Sequence, residues 1–480
     1  MTIATNLGYP RIGPRRELKY AMEAYWRGES GRDELQRVAA DLRKAGWQRQ
    51  KDAGIGQIPS NDFSFYDHVL DTACMVGAVP SRFGAPGDEV DLDTYFAMAR
   101  GAQDGRRDVP AMEMTKWFDT NYHYIVPEFE RGQTFQLASQ KPVNEFREAK
   151  ALGIHTRPVL LGPVSFLRLG KPAEGGVDDP LELLDKLLPV YAEILSRLEK
   201  AGADWIQMDE PVLAFEGDAK LHQALDRAYN ELAKTAKGSK LLLTMYFDRL
   251  SADTMEQAVK LPVAGLHVDL CQRPWRLNDL LQQVGKDTVV SLGLVDGRNI
   301  WRTDLGTALE TAESAARAVG RERVMIGPSC SLLHVPLDVE TETKLDDELK
   351  SWLAFAKQKL DELTLLARGV DEGRDAIGDA LKASDAVQEQ RRTSTRINDK
   401  AVQNRLRDVT PDMMKRQSGF AERREHQRRK LQLPKLPTTI IGSLPQTKDV
   451  RRTRAEYRRG DRDWKSYEKA MKDAITGAVK

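Results

Sequence analysis

Cysteine is scarce in this chain. Its 480 residues hold three, Cys74, Cys271 and Cys330, odd in number and widely spaced, which excludes a disulfide framework and suits a reducing compartment. Long apolar runs are missing too: nowhere do about 18 uncharged apolar residues follow one another, the length a membrane helix needs. The start, MTIATNLGYPRIGPRR, has no apolar stretch of signal-peptide length. The expectation is a soluble, cytoplasmic protein with no membrane partner. Net charge is also nearly absent at +1, yet residues 391–480 carry 25 Lys and Arg against 11 Asp and Glu. A basic tail can mark nucleic-acid binding. Here the cations alternate with acids at helical spacing (AERREHQRRK, RAEYRRGDRDWKSYEK) and no DNA or RNA module signature accompanies them. Solvated helix faces, some meeting an acidic partner domain, are the better reading, and no nucleic acid is expected.

What is present is material for a large core, 41% hydrophobic residues over a length that allows two or three domains. Through the first 370 residues short apolar stretches alternate with amphipathic ones. Strands are expected at 4–8, 63–68, 157–163, 204–211, 240–247, 264–271, 288–297 and 323–330, with helical patterns between most of them and a long helix over 342–368. Eight strands with intervening helices predict an α/β fold, a (β/α)8 TIM-like barrel over residues 1–371. An open doubly wound sheet is the alternative. Polar residues at the C-terminal ends of strands (Asp209, Glu210, Asp269, Asp296, Ser329, Cys330) favour the barrel, because barrel enzymes build their sites there. Residues 69–156 are too many for one connection and read as an insertion with helices of its own. Residues 372–435 read as a charged helical connector that ends at a Leu-Pro-Lys-Leu-Pro brake. In LPTTIIGSLPQT, Thr438 to Ile441 reads as a strand that opens a further βα unit over 436–480.

The chain also repeats itself. ELKYAMEAYWRGE (17–29) aligns with DVRRTRAEYRRGD (449–461) at an offset of 432, with a glycine and a proline upstream in both. This implies two tandem barrels, the first complete and the second only begun, so that residues 436–480 are loosely held unless another chain supplies partner strands.

Eight stretches taken in order resemble the cobalamin-independent methionine synthases, the 5-methyltetrahydropteroyltriglutamate-homocysteine methyltransferases. They are LGYPRIGPRRELKYAMEAYWRG, EMTKWFDTNYHYIVPEF, LLGPVSFLRLGK, WIQMDEPVL, GLVDGRNIWRTDL, PSCSLLHVP, RRTSTR and TTIIGSLPQT. The resemblance implies two face-to-face (β/α)8 barrels that move a methyl group from a triglutamylated folate to the thiol of L-homocysteine. Zinc assists and cobalamin takes no part. It places the zinc ligands and the catalytic acid beyond residue 480, so this chain is expected to hold no catalytic or metal residue and to be inactive alone. The alternative is a non-catalytic folate-binding or scaffold half that needs a separate C-terminal catalytic chain. By the resemblance, Arg16, Glu17, Leu18, Lys19 and Lys116 contact the folate, and Ile441, Gly442 and Ser443 hold homocysteine. Paired cations at a helix start suit a polycarboxylate tail. A glycine lets backbone approach a ligand while N–H groups and a hydroxyl grip its carboxylate.

Two other sites are weighed and set aside. His267, Asp269 and Cys271 alternate onto one strand face, with Cys330 and His334 after the last strand, a set with zinc-ligand chemistry. By the resemblance, the neighbouring strand should supply a His-x-Cys pair, but it reads LLLTMYF with Thr244 and Tyr246 in place of ligands, so packed thiols and hydrogen-bonded side chains are the preferred reading. Asp209 and Glu210 suggest a glycosidase pair, but adjacent strand residues point to opposite faces.

Overall fold

A computed structural model describes the chain except residues 85–88, 104–107, 216–217, 236, 249–250, 272–276, 441 and 480. Eight parallel strands form one sheet. They are β1 (Ile3–Ala4), β2 (Ile58–Ser60), β3 (Thr156–Leu161), β4 (Trp205–Asp209), β5 (Lys240–Thr244), β6 (Gly265–Asp269), β7 (Val289–Val295) and β8 (Val324–Pro328). Neighbours pair in sequence order, with β1 beside β8. A parallel bridge between Thr5 and Gln57 joins the two edges, and Asn6 N–H donates to Gln57 O at 3.1 Å, so the sheet closes into the expected barrel.

The strands are short and apolar because both faces are covered. Leu241, Leu242 and Leu243 of β5 are all buried, as are Val290 and Leu292 of β7. Helices between the strands lay apolar stripes on the outside; Leu184–Ala201 buries Leu187, Tyr191, Ile194 and Leu198. The barrel interior is polar. Arg157 of β3 is fully buried and donates to Thr5 Oγ1 (2.8 Å), Asn6 O (2.8 Å) and Gln207 Oε1 (2.9 Å). On the other side His267 Nδ1 lies 2.8 Å from Ser291 Oγ. At Gly327 an added Cβ would stand 3.1 Å from Thr5 Cγ2 and 3.6 Å from His267 Cε1, so glycine completes this layer.

Three expectations need correction. The second strand is not 63–68 but Ile58–Ser60, paired with β3 from Ile58↔Thr156 to Ser60↔Pro158. Asn61 follows at φ 62, breaking the strand, and Asp67 caps the next helix through Val69 N and Leu70 N, both at 2.8 Å. The helix expected over 342–368 is two, Asp347–Ser351 and Ala356–Glu372. Between them Leu353 forms a bridge with Trp301 and Ala354 N–H donates to Ile300 O at 2.8 Å, tying the break to the barrel. Thr438 to Ile440 form no strand and are exposed, and Ile441 lies outside the described residues. A strand exists through its ladder partner, and none of the described residues pairs with these.

Contacts divide the chain into two compact units, Met1–Ile397 and Asn398–Lys480. All barrel strands precede residue 371. The first part of the expected connector belongs to the first unit: Gly378–Thr393 is pinned by Ser384, which accepts from Leu305 N (3.2 Å) and donates to Thr303 O (3.3 Å). Within the second unit, Lys448–Arg459 and Trp464–Val479 form a helix pair in which Tyr457 stacks on Tyr467 with centroids 4.6 Å apart.

Candidate functional site

The residues expected to meet the folate sit at two places in the barrel unit. The first is the start of α1 (Glu17–Trp26), which follows a tight turn. Arg16 N–H donates to Gly13 O and Leu18 N–H to Ile12 O, both at 3.2 Å. Arg16 itself adopts φ 65, ψ 36, a left-handed conformation costing about 1 kcal/mol for a residue with a Cβ. Such strain clusters at ligand sites. The turn holds Arg15, Arg16 and Lys19 exposed at the helix start, where unpaired N–H groups add positive potential. Glu17 faces back into the turn, its carboxylate accepting from Arg15 N (2.9 Å) and Arg15 Nε (3.2 Å). Partial burial raises its pKa, but these hydrogen bonds prevail and the net shift is downward. The Leu18 side chain is buried against Ala39 and Phe63, so it anchors the turn rather than reaching outward.

The second place is a hairpin in the insertion, Met114–Lys116 paired with His123–Ile125, where exposed Lys116 faces His123. The next residue, Trp117, turns inward and is 1% exposed. Phe118 stacks on Phe215 with centroids 5.0 Å apart, and Asp119 receives Arg298 Nη2 at 2.7 Å, fastening the hairpin to the loop after β7. No hydrogen bond or ion pair among the described residues joins Arg16 or Lys19 to Lys116.

Beneath this hairpin, at the C-terminal ends of the strands, lies a cavity of about 60 Å³. Its lining includes Arg11, His68, Asp71 and Lys141, none of which the sequence reading singled out, together with Asp209 and Tyr246. Arg11 follows β1 in GYPR, a strand-end position in a barrel, which was the legible signal. Asp71 and Lys141 belong to the insertion and His68 immediately precedes it, and only the folded chain brings the three to the mouth. Asp209 Oδ1 accepts from Gln207 Nε2 at 2.7 Å and Oδ2 from Tyr246 OH at 3.2 Å. Glu210 points away, accepting from Ser165 N (2.7 Å), Val164 N and Tyr229 OH (both 3.2 Å), so the two acids act apart.

The residues with zinc-ligand chemistry do not fit a metal. Asp269 accepts from Cys271 N (2.9 Å) and Phe247 N (3.2 Å), and the Cys271 thiol donates to Gly293 O at 3.4 Å. Burial pushes the Cys271 and Cys330 thiols up. Among the described residues no three His, Cys, Asp or Glu side chains form a group able to hold an ion.

The residues expected at homocysteine lie in the second unit. Gly442 and Ser443 are exposed, and a Cβ on Gly442 would meet nothing within 4 Å, so its glycine answers no crowding in this unit. Ile441 lies outside the described residues.

Comparison with known proteins now bears on this arrangement. Residues 3–320 match the family model described as cobalamin-independent synthase, N-terminal domain, and residues 436–480 that described as its catalytic domain. Over 484 residues the chain is 55% identical to a 5-methyltetrahydropteroyltriglutamate--homocysteine methyltransferase of Parvibaculum lavamentivorans, covering 100% of this chain and 62% of that protein. The namesake in Acidiphilium cryptum is 53% identical over 483 residues, with the same two coverages of 100% and 62%. The chain thus spans about 62% of the length of these curated relatives. A solved structure described as a vitamin-B12 independent methionine synthase from Listeria monocytogenes superposes with a TM-score of 0.52 at 15% identity, over 77% of this chain and 99% of that one, a likeness of fold. Sequence identity along the whole chain and the matched N-terminal domain agree: this protein belongs to the cobalamin-independent methionine synthase family.

Proposed function

We propose that this chain serves methionine biosynthesis as the folate-binding barrel of a methyltransferase that uses 5-methyltetrahydropteroyltriglutamate and L-homocysteine. The observation that carries the reading is the strained Arg16 turn, which presents Arg15, Arg16 and Lys19 together to solvent at the start of α1. A triglutamate tail is a string of carboxylates, and cations at the positive end of a helix are matched to it. Lys116 acts as a second contact for the same ligand, and Ile441, Gly442 and Ser443 hold the amino-acid part of homocysteine.

Residues 1–480 bind but do not transfer methyl groups alone. In the full family, zinc would activate the thiol. Leu433, Leu436 and Ile440 are exposed, which favours a second reading in which a separate catalytic chain covers them.

Equilibrium binding tests the proposal. Lys19→Glu reverses one charge on the tail surface and is expected to weaken triglutamyl folate about tenfold, near 1.4 kcal/mol, while leaving the monoglutamate almost unchanged. Equal losses for both ligands would remove the tail-binding role. Methionine formation by the purified chain supplied with both substrates and zinc would overturn the assignment of inactivity.

A further inference from the structure

We propose that the mouth of the barrel is a binding site for a small carboxylate of acetate or glycolate size, gripped by Arg11 and distinct from the folate-tail surface. Although Asp71 attracts it from a greater distance, Arg11 makes no close ion pair among the described residues. Its Nη2 donates to Tyr66 O (2.7 Å) and Tyr122 OH (3.0 Å), both neutral, and its Nη1 is shielded from solvent with no hydrogen-bond partner. No carboxylate of the described residues comes within 4.0 Å of it, whereas Arg43 meets Glu148 at 2.8 Å and Arg298 meets Asp119 at 2.7 Å. A guanidinium stays charged in proteins, and a shielded charge is ordinarily paired. Its missing partner is therefore an anion that enters from outside.

The acids lining the cavity do not supply that partner, because each is engaged. Asp62 accepts from Tyr9 N at 2.8 Å, Asp71 takes Tyr95 OH (2.8 Å) and Lys141 (3.3 Å), and Asp209 takes Gln207 and Tyr246. Burial also pushes Asp62 and Asp209 up to about 7, which mutes their repulsion of an incoming anion. A cavity of about 60 Å³ accommodates about four waters at roughly 10–15 Å³ each. A ligand of four or five heavy atoms fills the same space. Trp117, Leu7 and Met75 add apolar wall, which lowers the local dielectric and strengthens the attraction.

Calorimetric titration of the full chain at pH 7 with acetate, with glycolate and with methylammonium decides the matter. The expected result is saturable one-to-one binding of at least one carboxylate and none of methylammonium. Arg11→Gln weakens it at least tenfold, and Lys19→Glu leaves it unchanged, which separates this site from the tail surface. Absence of saturation by about 50 mM, a preference for methylammonium, or wild-type affinity in Arg11→Gln overturns the proposal. Should Arg11→Gln lose its cooperative unfolding transition, Leu333→Trp, which enlarges a residue lining the cavity, decides alone: lost binding supports the site and unchanged binding overturns it.

Discussion

Burying a base inside the barrel has consequences that can be read at single residues. Arg157 keeps neutral oxygens for partners, and burial lowers its pKa to about 10. His267, fully buried across the same interior, is driven to about 3, first by burial and then by the charge of Arg157, against an opposing hydrogen bond with the Ser329 backbone. Unfolded, this imidazole titrates near 6.5. Between about pH 6.5 and 3 the unfolded chain therefore holds a proton that the folded chain refuses, so stability falls as pH drops through that window. We expect His267→Gln to be less stable than wild type at pH 7, with the gap shrinking by roughly 3 kcal/mol by pH 4. Urea unfolding at pH 7, 5.5 and 4 measures this; a constant gap would show that His267 is not held neutral.

At the scale of elements, one small residue sets how strand, turn and helix join. Gly162 sits at φ −66, ψ 149 between β3 and the helix Pro163–Arg168, a conformation open to any residue. Its requirement is space, since a Cβ there would collide with the Glu210 carboxyl, which three hydrogen bonds hold in place. Gly162→Ala should destabilise the barrel by about 1–3 kcal/mol, the usual range for overpacking, with a lower midpoint and unchanged slope in urea unfolding. The element scale is also where the sequence was most and least readable. Seven of the eight strands lie where apolar runs end in polar residues, because both sheet faces are buried. The second was hidden by Pro59, which lacks a ladder donor and makes Ile58–Ser60 look like a loop, while the aromatic run after it imitated a strand. The internal repeat was legible and has a physical counterpart. Both helices run out at a left-handed glycine, Gly28 at φ 70 and Gly460 at φ 85. Ion pairs span both, Arg27–Glu29 at 2.7 Å and Arg459–Asp461 at 2.8 Å, at the same 432-residue offset. The mouth cavity was not legible, because Arg11, Asp71 and Lys141 are far apart in sequence and meet only once the insertion folds over the strands.

For the whole molecule, the two units differ in what holds them. The first has a continuous core that reaches from Ala4 to Ile377, and its last helix is fastened by Ser384 and by Arg391 lying 3.9 Å from the Trp301 ring. Beyond Ile397 the helices Lys400–Arg407 and Phe420–Leu431 bury no residue at all. At 8 and 12 residues they are also below the length at which an isolated helix is stable in water. Proteases cut where the backbone opens locally, and opening is least costly where few apolar contacts must be broken. These segments are rich in Lys and Arg, so trypsin should cleave first between Lys400 and Lys435 and leave a resistant fragment that retains the N-terminus. Mass spectrometry of a short digest locates the cut. First cleavage inside the barrel, with 400–435 intact, would mean that the second unit is held by contacts this division does not include. The expected fragment should keep the cooperative unfolding of the barrel, because each interaction that closes it lies before Ile397.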